Sequence, residues 1–393
     1  MAEREIKLSV PNLNLDIVEN LKECIETGWV STGGRFIQQF EKNFSAYVKV
    51  PDAVSTQSGT AGLHLALQVL GIGAGDLVIV PTLTFIAAVN PIRYVGAEPL
   101  FMDCDSSFCM DMDKLATFLE EECAPTSQGL HHKESGKRVK AVLPVHVFGE
   151  LCDMETLMNL TQAYGLYVVE DATEALGSYY NQGKYAGKHA GTLGHLGVYS
   201  FNANKIITTG GGGMVVAQDP ALLEHLRYLS LTAKDDGLFF VHNEVGFNYR
   251  MLNLQAALGV SQLSELETFI RTKQSNWKRY EEQLHGIPGL TLLSFREDRR
   301  TNHWFYSLYV EEERFGWTRD QLMQQLLDQD IQCRPVWRLN HKQKPYAQCT
   351  AYRIAQALDY EARVLNLPCS THLSTEEVDR VCEAIQQIHS LRK

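Results

Sequence analysis

The stretch that decides the fold is residues 154–171, METLMNLTQAYGLYVVED. The part up to Tyr164 is typical of a helix, and residues 167–170 are a short apolar run typical of a buried strand. Asp171 ends that strand. Ligands gather at the carboxyl ends of strands in open α/β sheets, so Asp171 is a candidate site residue, although a helix cap is an equally ordinary role for it.

The same alternation of helices and short apolar strands extends upstream to Ser55. The sequence predicts a helix that opens at Ser58, strands at 77–80, 99–103 and 141–148, and a helix at 85–94. Short, fully apolar strands interleaved with helices predict an α/β unit with a largely parallel sheet. The polar segment 125–138 is predicted to be a solvated loop, because its paired histidines have no third metal ligand at helical spacing.

The pattern changes after about Leu254. A long helix rich in Glu, Lys and Gln is predicted over 255–284, followed by a strand at 304–310, a helix at 319–329 and a last helix from Thr375. We therefore expect two domains. Residues 1–254 would form a large domain with a parallel sheet, and residues 255–393 a smaller α+β domain that begins with the long linking helix.

Composition narrows the function classes. The chain has 393 residues with 45% apolar and 21% charged side chains, a normal globular balance, and its net charge of −11 disfavours nucleic-acid and membrane-surface partners. The nine cysteines include no C-x-x-C pair, which argues against a disulfide scaffold and a metal site. No signal peptide or membrane-length apolar run is visible. We expect a cytoplasmic enzyme without a metal.

Lys205 is the candidate nucleophile. It follows Phe201, precedes Ile206 and Ile207, and stands shortly before four consecutive glycines. A lysine beside apolar walls readily gives up its proton and acts as the amine that Schiff-base chemistry requires, although most lysines are merely solvated surface charges. The glycines lead directly into an apolar strand at 214–216, which favours a turn of close backbone approach over a plain linker.

A third element is the turn Ser58-Gly59-Thr60, which opens a helix. Exposed N–H groups and the helix dipole make such a turn a phosphate site, although capping alone explains many similar turns. A phosphate turn, a strand-end acid such as Asp171 and a hemmed-in lysine such as Lys205 are the parts that pyridoxal 5′-phosphate (PLP) needs. Its ring nitrogen requires an acidic partner to act as an electron sink.

Several motifs in one order resemble the DegT/StrS sugar aminotransferases, from about Trp29 to Pro368. They are Ser58-Gly59-Thr60-Ala61, Pro81-Thr82-x-Thr84-Phe85, Glu170-Asp171-Ala172, Ser200-Phe201-Asn202-x-Asn204-Lys205 and Gly246-Phe247-Asn248-Tyr249-Arg250. The resemblance implies a fold-type-I PLP transferase related to aspartate aminotransferase. It also implies a PLP-dependent transaminase for amino-sugar and polysaccharide biosynthesis.

The resemblance also implies roles for individual residues near the ring. Lys205 would carry the cofactor as a Schiff base and then shuttle protons, Asp171 would pair with the ring nitrogen, and Phe85 would stack on the ring. Phe85 could equally be ordinary core packing. Many family members have Gln three residues after the Asp, whereas this chain has Glu174, whose role the resemblance leaves open.

The phosphate would be held, by the same resemblance, by Thr60, the backbone of Gly59 and Ala61, and Ser200. Asn248 would reach the phosphate from a second subunit. This arrangement implies a homodimer with shared active sites.

The subgroup with the nearest motifs aminates sugars of legionaminic acid and N-acetylbacillosamine synthesis. The resemblance implies transfer from glutamate to C4 of UDP-4-keto-6-deoxy-N-acetylglucosamine, with dTDP- or GDP-linked sugars as the alternative. Candidate contacts to the substrate are Ser31, Arg334, Trp337 and His341, each with a structural role as the competing interpretation. A PLP sugar dehydratase is disfavoured, because those relatives have histidine at the Schiff-base position, where this chain has Lys205. A non-catalytic PLP-fold regulator is disfavoured because Lys205, Asp171 and the phosphate turn are all present.

Overall fold

The computed structural model describes residues 5–391 and is a mixed α/β protein. Its α-helices are α1 (Ile17–Thr27), α2 (Arg35–Val48), α3 (Gly59–Val69), α4 (Asn90–Tyr94), α5 (Met112–Glu121), α6 (Met154–Tyr164), α7 (Pro220–Ser230), α8 (Asn253–Leu284), α9 (Glu312–Phe315), α10 (Arg319–Leu327), α11 (Gln356–Arg363) and α12 (Thr375–Ser390). Its strands are β1 (Ala53–Thr56), β2 (Asp76–Pro81), β3 (Glu98–Met102), β4 (Cys123–Thr126), β5 (Gly129–His132), β6 (Arg138–Val142), β7 (Tyr167–Asp171), β8 (Tyr179–Tyr180), β9 (Leu196–Ser200), β10 (Gly213–Ala217), β11 (Lys234–Asp236), β12 (Val241–His242), β13 (Leu290–Leu292), β14 (Arg299–Arg300), β15 (Tyr306–Val310), β16 (Arg334–Pro335), β17 (Ala351–Tyr352) and β18 (Val364–Leu367).

The central sheet has the strand order β1-β10-β9-β7-β6-β2-β3-β17. The five pairings from β9 to β17 are parallel, and the pairings of β10 with β1 and β9 are antiparallel. The predicted largely parallel sheet is therefore confirmed. Because β7 and β9 are parallel neighbours, Asp171 and Ser200 lie at the same edge of the sheet.

Both faces of this sheet are covered. In β2, Val78 and Val80 pack into one hydrophobic core, whereas Leu77 and Ile79 pack into a second core on the other face. This explains why the strand is apolar from Leu77 to Pro81: a parallel strand covered by helices on both sides has no solvent face.

The second half of the chain forms a smaller sheet with the order β13-β15-β18-β16, all antiparallel. Helix α8 precedes it, as the sequence predicts. Several contacts cross the predicted boundary at Leu254. Among them, β17 pairs with β3 of the central sheet, β14 pairs with β8, and Ile6 bridges to Ile331. The division at 254 remains a proposal.

Three local predictions are wrong in detail. Segment 125–138 is not a plain loop, because β4 and β5 form a hairpin that pairs with β6. The predicted helix 85–94 is a 3₁₀ turn at Ile86–Ala88 followed by the short α4, and β6 ends at Val142. No helix within residues 5–391 is long and apolar enough to cross a membrane.

Candidate active site

A cavity of about 660 Å³ opens at the carboxyl ends of β7 and β9. The segment 334–338 of the smaller sheet forms its opposite wall. Nine of the residues predicted from the sequence line it: Gly59, Thr60, Phe85, Asp171, Glu174, Ser200, Lys205, Arg334 and Trp337. The fold therefore brings together residues that are far apart in the chain.

Lys205 points its amine into this cavity from the turn after β9. That turn is closed by a hydrogen bond from the Lys205 amide to the Asn202 carbonyl, at 3.0 Å. Only 12% of the Lys205 side chain is exposed, and its Nζ lies 3.6 Å from Glu174 Oε1 and 4.1 Å from the centroid of the Trp304 ring. The amine is thus nearly shielded from water and held between a carboxylate and an indole face.

Asp171 stands at the end of β7, nearly buried, and one oxygen of its carboxylate accepts the Thr173 amide at 3.0 Å. Burial raises the pKa of Asp171 above its ordinary value, and the Thr173 hydrogen bonds and the Lys205 amine oppose that rise. The side chain therefore caps a turn and also lines the cavity. A buried acid of this kind is suited to hold a proton on a ring nitrogen.

Glu174 carries the second buried carboxyl group of the site. Its Oε2 accepts the Phe148 amide at 2.9 Å, while Oε1 faces Lys205. Burial raises the pKa of Glu174 to about 7, helped by the nearby Asp171 and opposed by Lys205. At neutral pH this group is therefore poised between its acid and carboxylate forms.

The start of helix α3 forms an anion cradle. Ser58 caps the helix by accepting the Ala61 amide at 3.0 Å, while Gly59 and Thr60 line the cavity beside Ser200. A Cβ at Gly59 would lie 2.9 Å from Ser200 Cβ, so only glycine allows this approach. The cradle, the acid and the amine fit PLP, because they offer a place for its phosphate, its ring nitrogen and its aldehyde carbon.

The last glycine of the run, Gly213, packs against the start of α3, which forms this cradle. A Cβ at Gly213 would lie 2.6 Å from the backbone of Ser58 and 2.7 Å from the Gly59 amide. Strand β10 can therefore run against the helix start only without a side chain at that position. The interpretation of the glycine run as a turn of close approach is confirmed at Gly212 and Gly213, whereas a Cβ at Gly210 would meet nothing within 4 Å.

Four predicted residues lie outside the cavity lining. The Ala61 amide donates to the Ser58 hydroxyl. The Nδ1 atom of His341 lies 2.7 Å from the Thr82 hydroxyl and forms a hydrogen bond with it. The Ser31 carbonyl accepts the Asn253 amide, and Asn248 is exposed on the surface. None of these four residues lines the cavity within this one chain, and their roles in binding remain predictions.

Sequence reasoning missed several residues that line the cavity. Arg338 is exposed at its rim, and Trp304 lies beneath Lys205. The Thr84 hydroxyl is buried in the wall without a hydrogen-bond partner in the structure. Arg338 could have been found, since it follows Arg334 by four residues, but no local signal marks Trp304.

Glu170, beside Asp171, serves the fold. Its buried carboxylate accepts the amides of Gly191, Leu193 and Gly194, and the Nε2 proton of His146 at 2.9 Å. His146 donates at Nε2 because its Nδ1 accepts a backbone amide. These four donors fix the end of β7, and with it the position of Asp171.

Comparison with known proteins agrees with this geometry. Residues 11–386 match a profile of the DegT/DnrJ/EryC1/StrS aminotransferase family. GDP-perosamine synthase of Caulobacter vibrioides is 36% identical over 387 residues, covering 98% of each chain, and that of Escherichia coli O157:H7 is 36% identical, covering 97% of each. The solved structure of DesI in the presence of its TDP-sugar product has a TM-score of 0.88 and 27% identity, and covers 99% of this chain and 94% of that one.

Proposed function

The chain belongs to the DegT/DnrJ/EryC1/StrS aminotransferase family, and from that membership we propose that it moves an amino group from glutamate to C4 of a nucleotide-linked 4-keto-6-deoxy sugar. The enzyme is a PLP-dependent aminotransferase. The observation that carries the proposal is the Lys205 amine in a cavity that is also lined by an anion cradle and by Arg334 and Arg338.

The residues of this chain would divide the chemistry as follows. PLP, when bound, supplies a conjugated ring that accepts the electron pair of a broken C–H bond. Lys205 would hold the cofactor covalently and then move a proton at its Nζ, and Asp171 would keep a proton on the ring nitrogen. Thr60, Ser200 and the start of α3 would hold the phosphate through hydrogen bonds and the helix dipole.

The sugar substrate is proposed from two sources. The motifs favour UDP-4-keto-6-deoxy-N-acetylglucosamine, and the relatives named GDP-perosamine synthase favour a GDP-linked sugar instead. Both are anionic, which suits Arg334 and Arg338 at the cavity rim. Neither arginine has a carboxylate partner among the described residues. Arg334 donates from Nη1 to the Cys333 carbonyl at 2.8 Å, and its other N–H groups and those of Arg338 can meet a diphosphate.

We further propose a homodimer with shared sites that acts in the cytoplasm. The segment between β11 and β12 exposes Leu238, Phe239 and Phe240 by 76%, 75% and 69%, which suits burial against a second copy. Asn248 is exposed close by in the chain, where it could reach the partner's cradle. All nine cysteines lie within the described residues and are unpaired, which supports a reducing compartment.

The test is a panel assay. Purified enzyme with PLP and glutamate is given UDP-, dTDP- and GDP-linked 4-keto-6-deoxy sugars, and release of 2-oxoglutarate is followed. Turnover of at least one sugar is expected, together with its loss in Lys205→Ala and its retention in Lys188→Ala, a change at an exposed lysine. No turnover with any sugar would contradict the proposed acceptor class, and activity in Lys205→Ala would contradict the role of the lysine.

A further inference from the structure

The indole of Trp304 lies directly under the Lys205 amine. The ring centroid is 4.1 Å from Nζ, and Trp304 is only 2% exposed. Its Nε1 donates a hydrogen bond of 2.9 Å to the carbonyl of Asn204, the residue just before the lysine. This hydrogen bond to the neighbouring carbonyl fixes the indole ring relative to Lys205.

The backbone of Trp304 is fixed from two sides. Its amide donates to the Phe148 carbonyl at 3.2 Å, and its carbonyl accepts the amine of Lys273 at 3.0 Å. Lys273 is fully buried, and burial lowers its pKa. Burying an amine costs free energy unless its hydrogen bonds are made. Lys273 makes them to the carbonyls of Trp304 and Cys369, and it thereby ties Trp304 to that second segment.

Strained backbone surrounds the same place. His303, the residue before Trp304, has a φ of 51°, and Phe148 has a φ of 57°. Non-glycine residues adopt such angles only at a cost in free energy, and residues that do so gather at functional sites. Trp304 links the two strained residues: His303 precedes it in the chain, and the Phe148 carbonyl accepts its amide, while the Phe148 amide donates to Glu174.

We propose that Trp304 is a positioning residue, on whose indole face the Lys205 amine rests while a substrate amine has displaced it from the cofactor. The inference rests on the proposed function. A proton that leaves the donor carbon for Nζ makes that amine a cation, while the electron pair stays with the carbon and its conjugated system. The cation is then stabilised by the ring face and by Glu174 until Nζ gives the same proton up.

The test compares Trp304→Leu, which removes the ring, with Trp304→Phe, which keeps a smaller one. The reaction of the PLP-loaded enzyme with glutamate alone is followed by absorbance, with ordinary and 2-deuterated glutamate. We expect the rate to fall about tenfold in Trp304→Leu and less in Trp304→Phe. The deuterium isotope effect should increase in both, because proton transfer becomes more rate-limiting.

A second readout needs no catalysis. In the cofactor-free protein, reductive methylation of Lys205 is measured by mass spectrometry, with Lys188 as the internal reference. Methylation should be faster in Trp304→Leu, since the indole face no longer covers Nζ. Trp317→Phe is the control: it also loses an indole hydrogen bond to a carbonyl, but that of Ile388, and both readouts should stay at wild-type values.

An unchanged isotope effect or an unchanged methylation rate in folded Trp304→Leu overturns the proposal. If that variant does not fold, Trp304→Phe decides by the same two criteria. Failure of the wild type to react with glutamate would instead contradict the proposed donor, and the methylation comparison would then decide the role of Trp304 alone.

Discussion

Glu174 and Lys205 face each other, with only 2% and 12% of their side chains exposed. Their 3.6 Å separation favours an ion pair, but burial of Glu174 opposes its charge, and burial is the larger effect. The sequence marks Glu174 as a departure from the Gln of many relatives without explaining it. Its explanation lies in its burial and in the Phe148 amide, which only the fold brings to it.

The raised pKa of Glu174 predicts a pH-dependent stability. With its pKa at about 7 in the folded state and an ordinary value of 4.5, folding favours the protonated form. Its stabilising effect is present below pH 4.5 and is lost as pH rises to about 7. In the cofactor-free protein, Glu174→Gln should therefore gain about 2 kcal/mol relative to wild type between pH 5 and pH 8. Urea unfolding at both pH values measures this gain, and a pH-independent difference would contradict it.

The two rim arginines predict a selective loss of binding. Arg334→Leu and Arg338→Leu should each raise KM for anionic substrates about tenfold, since each removes charged hydrogen bonds, while kcat changes little. Arg353→Leu, at an exposed arginine paired with Glu121, is the matched control. Equal KM values in the wild type and both rim variants would assign anion binding to other groups.

At the scale of elements, the helices and strands with a strong local hydrophobic pattern are predicted correctly from the sequence. Elements whose structure depends on pairing with distant segments are missed. The limits of α6 and the apolar strands β2 and β7 agree with expectation because their patterns are local. The β4–β5 hairpin was missed because it is polar and half exposed, and its pairing with β6 supplies the order that composition does not. Likewise, no pattern could show that Glu170 collects four donors from other segments.

The contact between β10 and the start of α3 predicts a specific effect of Gly213→Ala. The new methyl group would lie 2.6 Å from the Ser58 backbone, so strand or helix must shift. We expect the dissociation constant for PLP to rise about tenfold, from overpacking of about 1–3 kcal/mol. Absorbance titration measures it, with Gly73→Ala as the control because its methyl group would meet nothing nearer than 3.6 Å. Unchanged PLP affinity would separate the glycine run from the cradle.

At the scale of the whole molecule, the family, the fold class and the PLP dependence predicted from the sequence are confirmed. They could be predicted because four of the five sequence motifs contribute residues to one cavity. Each motif alone has an ordinary alternative role, but their combination and order are specific. The substrate contacts were harder to predict. Ser31 and His341 lie outside the cavity of this chain, where the Ser31 carbonyl accepts the Asn253 amide and the His341 ring meets the Thr82 hydroxyl. Both partners are distant in the chain, and a local sequence pattern does not reveal them.

A shared site predicts complementation between two inactive variants. Lys205→Ala disables the site of its own chain, whereas Asn248→Asp should disable the partner's site by repelling the phosphate. A mixed dimer then has one site with both defects and one with neither. After subunit exchange of an equal mixture, about a quarter of all sites should be intact, and activity should return to about a quarter of the wild-type value. If Asn248 served its own chain, every site in the mixed dimer would carry one defect and no activity would return.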